Sequence, residues 1–388
     1  VKLAGLWLSN APWAATGYGT QTAQVVSRMA ADGHAMAVAA NYGLEATNTD
    51  WNGIEVYPKG FDPYSNDVVA AYYADWTRQH KNKKPYLFTL YDTWVFKAPA
   101  FDELPVVSWV PIDHMPMPPA VATYCKKPNV LPVAMSKFGA AQLARLDVKH
   151  SYVPHAVNTQ VMKPTHSIET GSGVKTSRQL IGVDEGKFVV GVVNANKGVS
   201  PNRKAFGEQL LAFSIFAEGK PDAVLYLHTD RNGAMGGINF DTLIAACSLR
   251  PEQVVFVNQY QNRMGIPDDV LACIYTGLDV LLAPTYGEGF GITVIDAQAT
   301  GTPVIVNNFT AQPELVGDGW VIDGQPLWDA AQSAWFNVPN VQSIVKALEA
   351  AYERRGEGKS DKARKFVVEN YDADKVYADL WRPLLDSL

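Results

Sequence analysis

Cysteine is scarce: Cys125, Cys247 and Cys273 are the three in 388 residues, odd in number and far apart. That fits a reducing compartment better than a disulfide framework, and leaves no Cys/His set with zinc spacing. Long apolar runs are missing too, and none approaches the roughly 18 residues of a membrane span. The opening run Val1 to Leu8 has no basic leader or cleavage site, so no signal peptide is read and a cytoplasmic location is expected. Basic charge is not in excess. A formal net charge of -6 argues against binding nucleic acid or acidic lipid as a main role. Sequence repeats and low-complexity tracts are absent as well.

What is present is an ordinary α/β composition, long enough for two domains that each bury a core. Ten tryptophans are many; most are read as packing residues, with a minority in loops (Trp13, Trp51, Trp94, Trp328, Trp335) available to stack on sugar.

The most informative stretch is Ala283 to Asn307, APTYGEGFGITVIDAQATGTPVIVN. Asp279 to Leu282 and Pro303 to Val306 are short apolar runs that read as buried strands. Between them Ile292 to Thr300 lacks Gly and Pro, and Gly301 stops the helix. Gly289 and Gly291 flank Phe290 just before that helix, where backbone can approach a ligand and aim N–H groups at an anion. Glu288 in the loop and Asp296 two turns into the helix set two carboxylates beside it. Carboxylates that accept from hydroxyls, next to a phosphate-binding backbone, suit a sugar nucleotide.

In the first half, Leu3 to Leu8 reads as a strand, and Gly17-Tyr18-Gly19 introduces a helix from Thr20 to Ala31. A dinucleotide fingerprint would need a third glycine where Thr22 stands, which disfavours a dehydrogenase. Strand-like runs recur to Tyr152–Pro154 with helices between them, so the sheet is parallel. Asp113-His114 follows the strand Val106 to Ile112, at the carboxyl end where open α/β sheets place ligands. Asn158 to Gly186 has little pattern and reads as the interdomain passage. Beyond the strand Phe188 to Val193, Ser200 as cap and Pro201 at the first position start a helix. Arg203 and Lys204 then fall in its first turn, where cations are disfavoured and call for solvent or an anion. Asn258 to Met264 reads as a polar loop, and Trp320 to Pro339 shows no pattern.

Taken together, Glu-Gly-Phe-Gly, an acid eight positions after the Glu, and Gly-Thr-Pro-Val-Ile resemble the donor-site signature of glycosyltransferase family 4; the motif normally ends in Glu where this chain has Asp296. The resemblance implies the GT-B fold: two Rossmann-like domains, parallel sheets facing a central cleft that holds the active site. The domains are expected at 1–165 for the acceptor and 180–370 for the donor, with a final helix at 373–388 returning to the first. It implies a retaining hexosyltransferase-like enzyme acting on a nucleotide sugar as co-substrate, with no other cofactor. Arg203 and Lys204 would bind the diphosphate with the N–H groups at Gly291 and Ile292; Gly289 and Phe290 belong to the same loop. Glu288 would take donor-sugar hydroxyls, Asp296 the ribose, and Tyr260 would stack on the base. Gly17 and Gly19 would form the turn facing donor phosphate, and Asp113 or His114 would stand at the reacting centre. Asp372-Ala373-Asp374 nominally matches the metal-binding Asp-x-Asp of another glycosyltransferase fold, but it opens a helix and reads as a cap, so no metal is expected. The acceptor is left open among glycan, protein and small molecule, with membrane association disfavoured. A sugar-nucleotide epimerase or phosphorylase, or a non-catalytic nucleotide-sugar-binding module, would use the same fold.

Overall fold

The computed structural model describes residues 2–388, and Val1, the first residue of the opening run, lies outside them. The chain divides into two compact units. One runs to His155 and takes in residues 330–334 and 373–388; the other comprises residues 156–329 and 335–372. Residues 156–165 therefore group with the second unit.

The first unit is built on an eight-stranded sheet. Its strands are β1 (Leu3–Asn10), β2 (Ala35–Tyr42), β3 (Thr49–Trp51), β4 (Ile54–Tyr57), β5 (Lys84–Leu90), β6 (Val106–Val110), β7 (Val130–Ala134) and β8 (Ser151–Tyr152). They lie in the order β3-β4-β2-β1-β5-β6-β7-β8, parallel except for the β3–β4 hairpin. Every residue of β1 is buried, as expected of a central strand covered on both faces. The order reverses between β1 and β5, which makes their carboxyl ends the switch point where such sheets bind ligands. The helix after β1 is Gly17–Ala31, beginning three residues before the expected Thr20, because the Thr16 hydroxyl accepts from Gly19 N–H and caps it there. Trp381, in residues 373–388, is buried against Trp7 and Trp109, with ring centroids 6.0 and 5.0 Å away. Asp32 accepts from Tyr377 Oη at 3.0 Å and Arg382 Nε at 2.9 Å.

The second unit opens differently from the sequence reading. The supposed passage holds a hairpin, β9 (Ser167–Thr170) and β10 (Gly173–Thr176). A short helix, Ser177–Ile181, follows, closed by a capping box between Thr176 and Gln179 and ended by Gly182 in the left-handed region. Strands this short and half exposed carry no apolar signature. The main sheet is fully parallel: β11 (Phe188–Val193), β12 (Ala223–His228), β13 (Val254–Phe256), β14 (Val280–Leu282), β15 (Val304–Asn307) and β16 (Gly319–Ile322), ordered β13-β12-β11-β14-β15-β16. Phe206, Leu210, Phe213 and Phe216 of the helix Phe206–Phe216 pack on Phe188, Val190 and Val192 of β11. The patternless stretch at 320–339 forms β16 and a hairpin, β17 (Gly324–Asp329) with β18 (Ala334–Pro339). Asn258–Met264 is not a loop: Asn258 caps a short helix, Gln259–Met264. Among the described residues no helix is long and apolar enough to cross a membrane.

Candidate functional site

The order of the second sheet reverses between β11 and β14, and the loops that follow these two strands carry the charged residues singled out in the sequence. After β14 the backbone is fixed at each step. Ala283 N–H donates to Ile305 O at 2.9 Å, Tyr286 N–H to Arg203 O at 2.9 Å, and Thr285 N–H to Gln312 Oε1 at 3.0 Å. Glu288 N–H then donates to Thr310 Oγ1 at 2.9 Å. Gly291 has φ 115°, a left-handed value that favours glycine, and the helix Ile292–Ala299 starts directly after it with no side-chain cap. Its first N–H groups are thus not consumed by a capping side chain.

The loop after β11 corrects the sequence reading. The helix does not begin at Pro201; it begins at Phe206, after Ala205 at φ 55°. Arg203 and Lys204 therefore precede the helix rather than occupy its first turn. The reason is tertiary. Arg203 O is committed to Tyr286 N–H, Lys204 O accepts from Gln209 Nε2 at 2.6 Å, and Ala205 turns the chain between those commitments.

Both cations converge on Glu288. Lys204 Nζ lies 2.6 Å from its Oε1 and Arg203 Nη1 3.1 Å from its Oε2, while Arg203 Nη1 also donates to Gly287 O at 2.5 Å. Burial alone would raise the Glu288 carboxyl, but the charges of Lys204 and Arg203 outweigh it and hold it down to about 2. The sequence reading set a sugar end at Glu288 apart from a phosphate end at Arg203; in this structure the two ends touch.

Phe290 is 2 % exposed and its ring packs 5.7 Å from Tyr371, so only the backbone of Gly289-Phe290-Gly291 is left to meet a ligand. Asp296 sits in the second turn of Ile292–Ala299. It keeps some open surface, yet protein surrounds it on most sides. That burial, and then the Asp268 carboxylate, push its carboxyl well above the usual range. Sequence reasoning missed Asp268; its only signal was an acid pair, Asp268-Asp269, opening the helix Asp268–Thr276. Tyr260 is 73 % exposed on its short helix.

In the first unit, Gly17 and Gly19 lie in the first turn of their helix rather than in a turn before it. A Cβ on Gly19 would stand 2.2 Å from Ala14 O, so the close packing of loop on helix requires glycine there. Asp113 and His114 form a pair, Oδ1 to Nδ1, at 2.7 Å. The His114 side chain is 4 % exposed and that of Asp113 26 %, so Asp113 faces outward with the imidazole behind it. His155 is buried, 4.3 Å from the Trp109 ring and 6.3 Å from that of Tyr18. Burial drives its pKa down to about 3, the state of a neutral packed imidazole. Asp372 and Asp374 are engaged separately, the first by the Thr159 hydroxyl and the second by Arg28 at 2.7 Å.

Comparison with known proteins gives this geometry a context. Residues 189–353 match the family described as glycosyl transferases group 1. Among curated relatives, O-antigen chain mannosyltransferase B of Escherichia coli is 26 % identical over 97 residues, covering 23 % of this chain and 26 % of that protein. D-inositol 3-phosphate glycosyltransferase of Segniliparus rotundus is 29 % identical over 190 residues, covering 45 % of this chain and 39 % of that protein. The matched stretch thus spans well under half the length of either relative. Among solved structures, sucrose-phosphate synthase from Thermosynechococcus elongatus superposes with TM-score 0.72 at 14 % identity, covering 99 % of this chain and all (100 %) of that one. Anabaena HepE in complex with UDP-glucose gives 0.67 at 14 % identity, with 99 % of each chain covered. Residues 189–353 thus resemble a group 1 glycosyltransferase domain, and the chain as a whole has the GT-B fold of two Rossmann-like units.

Proposed function

We propose that this chain transfers a sugar from a nucleoside-diphosphate donor to an acceptor hydroxyl, with retention of configuration and without a divalent metal. The observation that carries the reading is the convergence of Arg203 and Lys204 on Glu288, beside the uncapped start of Ile292–Ala299. Two cations and a helix N-terminus are the complement of a diphosphate, and they supply positive charge where other enzymes use a metal. The diphosphate takes the cations from Glu288, and the carboxylate so released accepts from donor-sugar hydroxyls. Asp296, which keeps its proton to higher pH than a surface carboxyl, faces the ribose as a donor as well as an acceptor. Gly17 and Gly19 serve the donor phosphates, and Asp113, backed by His114, serves the reacting centre.

The bond from the anomeric carbon to the phosphate oxygen breaks, and its electron pair leaves with the diphosphate. The acceptor oxygen bonds to the same face of that carbon, and its proton passes to a phosphate oxygen. HepE, a structural neighbour, was solved with UDP-glucose, which supports a nucleotide sugar as donor. Buried free thiols at Cys125, Cys247 and Cys273 support a reducing, cytoplasmic setting. The test is calorimetric titration with UDP, GDP and ADP, then turnover of the matching nucleotide sugars in EDTA with the product anomer read by NMR. Transfer with the donor's anomeric configuration is expected. Epimerised donor, a phosphorolysis product, or binding with no turnover would each replace this reading.

A further inference from the structure

Six large apolar side chains stand exposed among the described residues of the first unit, and five of them share one edge. Trp13 (42 %), Tyr42 (40 %), Phe61 (103 %), Trp94 (46 %) and Met115 (44 %) lie at the carboxyl ends of β1, β2, β4, β5 and β6 or in the loops that follow. Chance scatter would spread them over the surface. The loops are also fixed in advance. Trp13 Nε1 donates to Gly43 O at 2.8 Å. Phe61 N–H donates to Asp67 Oδ2 at 2.8 Å, and Tyr64 N–H to Asp62 Oδ1 at 2.8 Å. Asn66 Oδ1 accepts from Lys97 N–H at 2.8 Å and Ala98 N–H at 3.1 Å, tying the Phe61 loop to the segment that bears Trp94. Between them Tyr91 holds Tyr18 and Tyr64, with ring centroids at 5.7 and 5.6 Å, at the switch point of the sheet. A fully exposed phenylalanine on a loop pinned this firmly is a presented side chain, and holding it in place beforehand lowers the entropy cost of binding.

Charge selects the occupant. The same loops carry five carboxylates (Glu45, Asp62, Asp67, Asp92, Asp113), two lysines (Lys59, Lys97) and no arginine. Lys59 is engaged by Glu45 at 3.1 Å. A phosphorylated acceptor calls for guanidinium or clustered ammonium groups, and an anionic bilayer for a cationic rim around the apolar face; this edge has neither. Pyranose rings match it, because their C–H faces pack on aromatic rings while their hydroxyls donate to carboxylates.

Resting on the glycosyl-transfer reading above, we propose that the acceptor is a neutral, unphosphorylated glycan. It is gripped by Trp13, Phe61 and Trp94 along the carboxyl edge of the first sheet, with Tyr18 and Tyr91 nearest the reacting centre. This sets the chain apart from relatives whose names specify phosphorylated substrates or products, such as D-inositol 3-phosphate glycosyltransferase and sucrose-phosphate synthase.

The experiment titrates the full chain, saturated with whichever of UDP, GDP and ADP it binds most tightly, with maltotriose, mannotriose and glucose 6-phosphate, alongside the double variant Phe61→Ala/Trp94→Ala. Saturable trisaccharide binding is expected, at least tenfold weaker in the variant, with glucose 6-phosphate at least tenfold weaker than the better trisaccharide. The proposal is overturned if neither trisaccharide binds, if the variant binds it as well as the parent, or if glucose 6-phosphate binds more tightly. It is overturned equally if the exposed rings instead draw the protein onto phosphatidylglycerol vesicles. Affinity for UDP, GDP and ADP in the same samples separates the two readings. Absent binding of UDP, GDP and ADP alike sinks the glycosyl-transfer reading, whereas nucleotide binding without trisaccharide binding sinks this proposal alone.

Discussion

Lys204 Nζ lies 2.6 Å from Glu288 Oε1, a contact between residues 84 positions apart, each on a loop that follows a neighbouring strand. With Arg203 on the other carboxylate oxygen, the acid occupies the cations that a diphosphate would use. Glu288→Gln should therefore tighten free UDP binding, by roughly tenfold if one charge-assisted bond of about 1.5 kcal/mol no longer competes, while transfer falls. Titration calorimetry paired with donor turnover gives both numbers. Weaker UDP binding in the variant would refute the competition.

The same cluster sets an acid limit on stability. The folded Glu288 carboxyl is held down to about 2 against an ordinary value of 4.5. A depressed carboxylate contributes stability that is fully present above its unfolded pKa and lost as pH falls through the folded one. Glu288→Gln should thus be less stable than the parent at pH 7, by up to about 3 kcal/mol, the low end for breaking a buried ion pair, because Arg203 is partly exposed. The gap should close between about pH 5 and pH 2. Urea unfolding at pH 7 and pH 3 measures it; a gap independent of pH would place the cost elsewhere.

Asp296 behaves oppositely. Burial and then Asp268 raise its folded pKa, so ionising it costs stability as pH rises above the unfolded value. Asp296→Asn should match the parent in acid and become the more stable protein toward neutral and alkaline pH. Its binding of ribonucleoside diphosphates should fall more than that of the deoxyribose forms. Thermal melts from pH 4 to pH 9, with both nucleotide series, test this; parallel melting curves or equal loss of both series would exclude the role.

Arg203→Ala should lower both UDP affinity and turnover, the latter by about 2–4 kcal/mol, as for loss of one electrostatic stabiliser. Wild-type turnover should survive EDTA. Activity lost in EDTA and restored by magnesium or manganese would show that the cations do not substitute for a metal.

The parallel strands were legible because burial on both faces writes them as unbroken apolar runs, as in FVVGVV of β11 and VIVN of β15. The helix after Gly291 was legible from the glycines that bracket it. What failed was local grammar overruled from a distance. Ser200-Pro201 carries a proper helix start, yet the helix waits until Phe206, because the intervening backbone is spent on Tyr286 and Gln209. The hairpin β17–β18 hid because Gly324 and Pro326 interrupt a strand that is mostly exposed. That Glu288 meets two cations, and Asp296 another acid, depends on which loops the strand order makes neighbours, and no local pattern contains that.

The burial of Trp381 against Trp7 and Trp109 has a consequence in time. A ribosome delivers Trp7 with the opening strand of the first unit, but its partner Trp381 follows only after residues 156–372, which mostly belong to the other unit. At roughly 5–20 residues per second that interval is on the order of 10–40 s. Throughout it the second unit can close on its own residues, while the first waits with an indole-sized gap beside its central strand. Nascent chains stalled before residue 373 should therefore be captured by chaperones through the first unit, and release should coincide with arrival of residues 373–388.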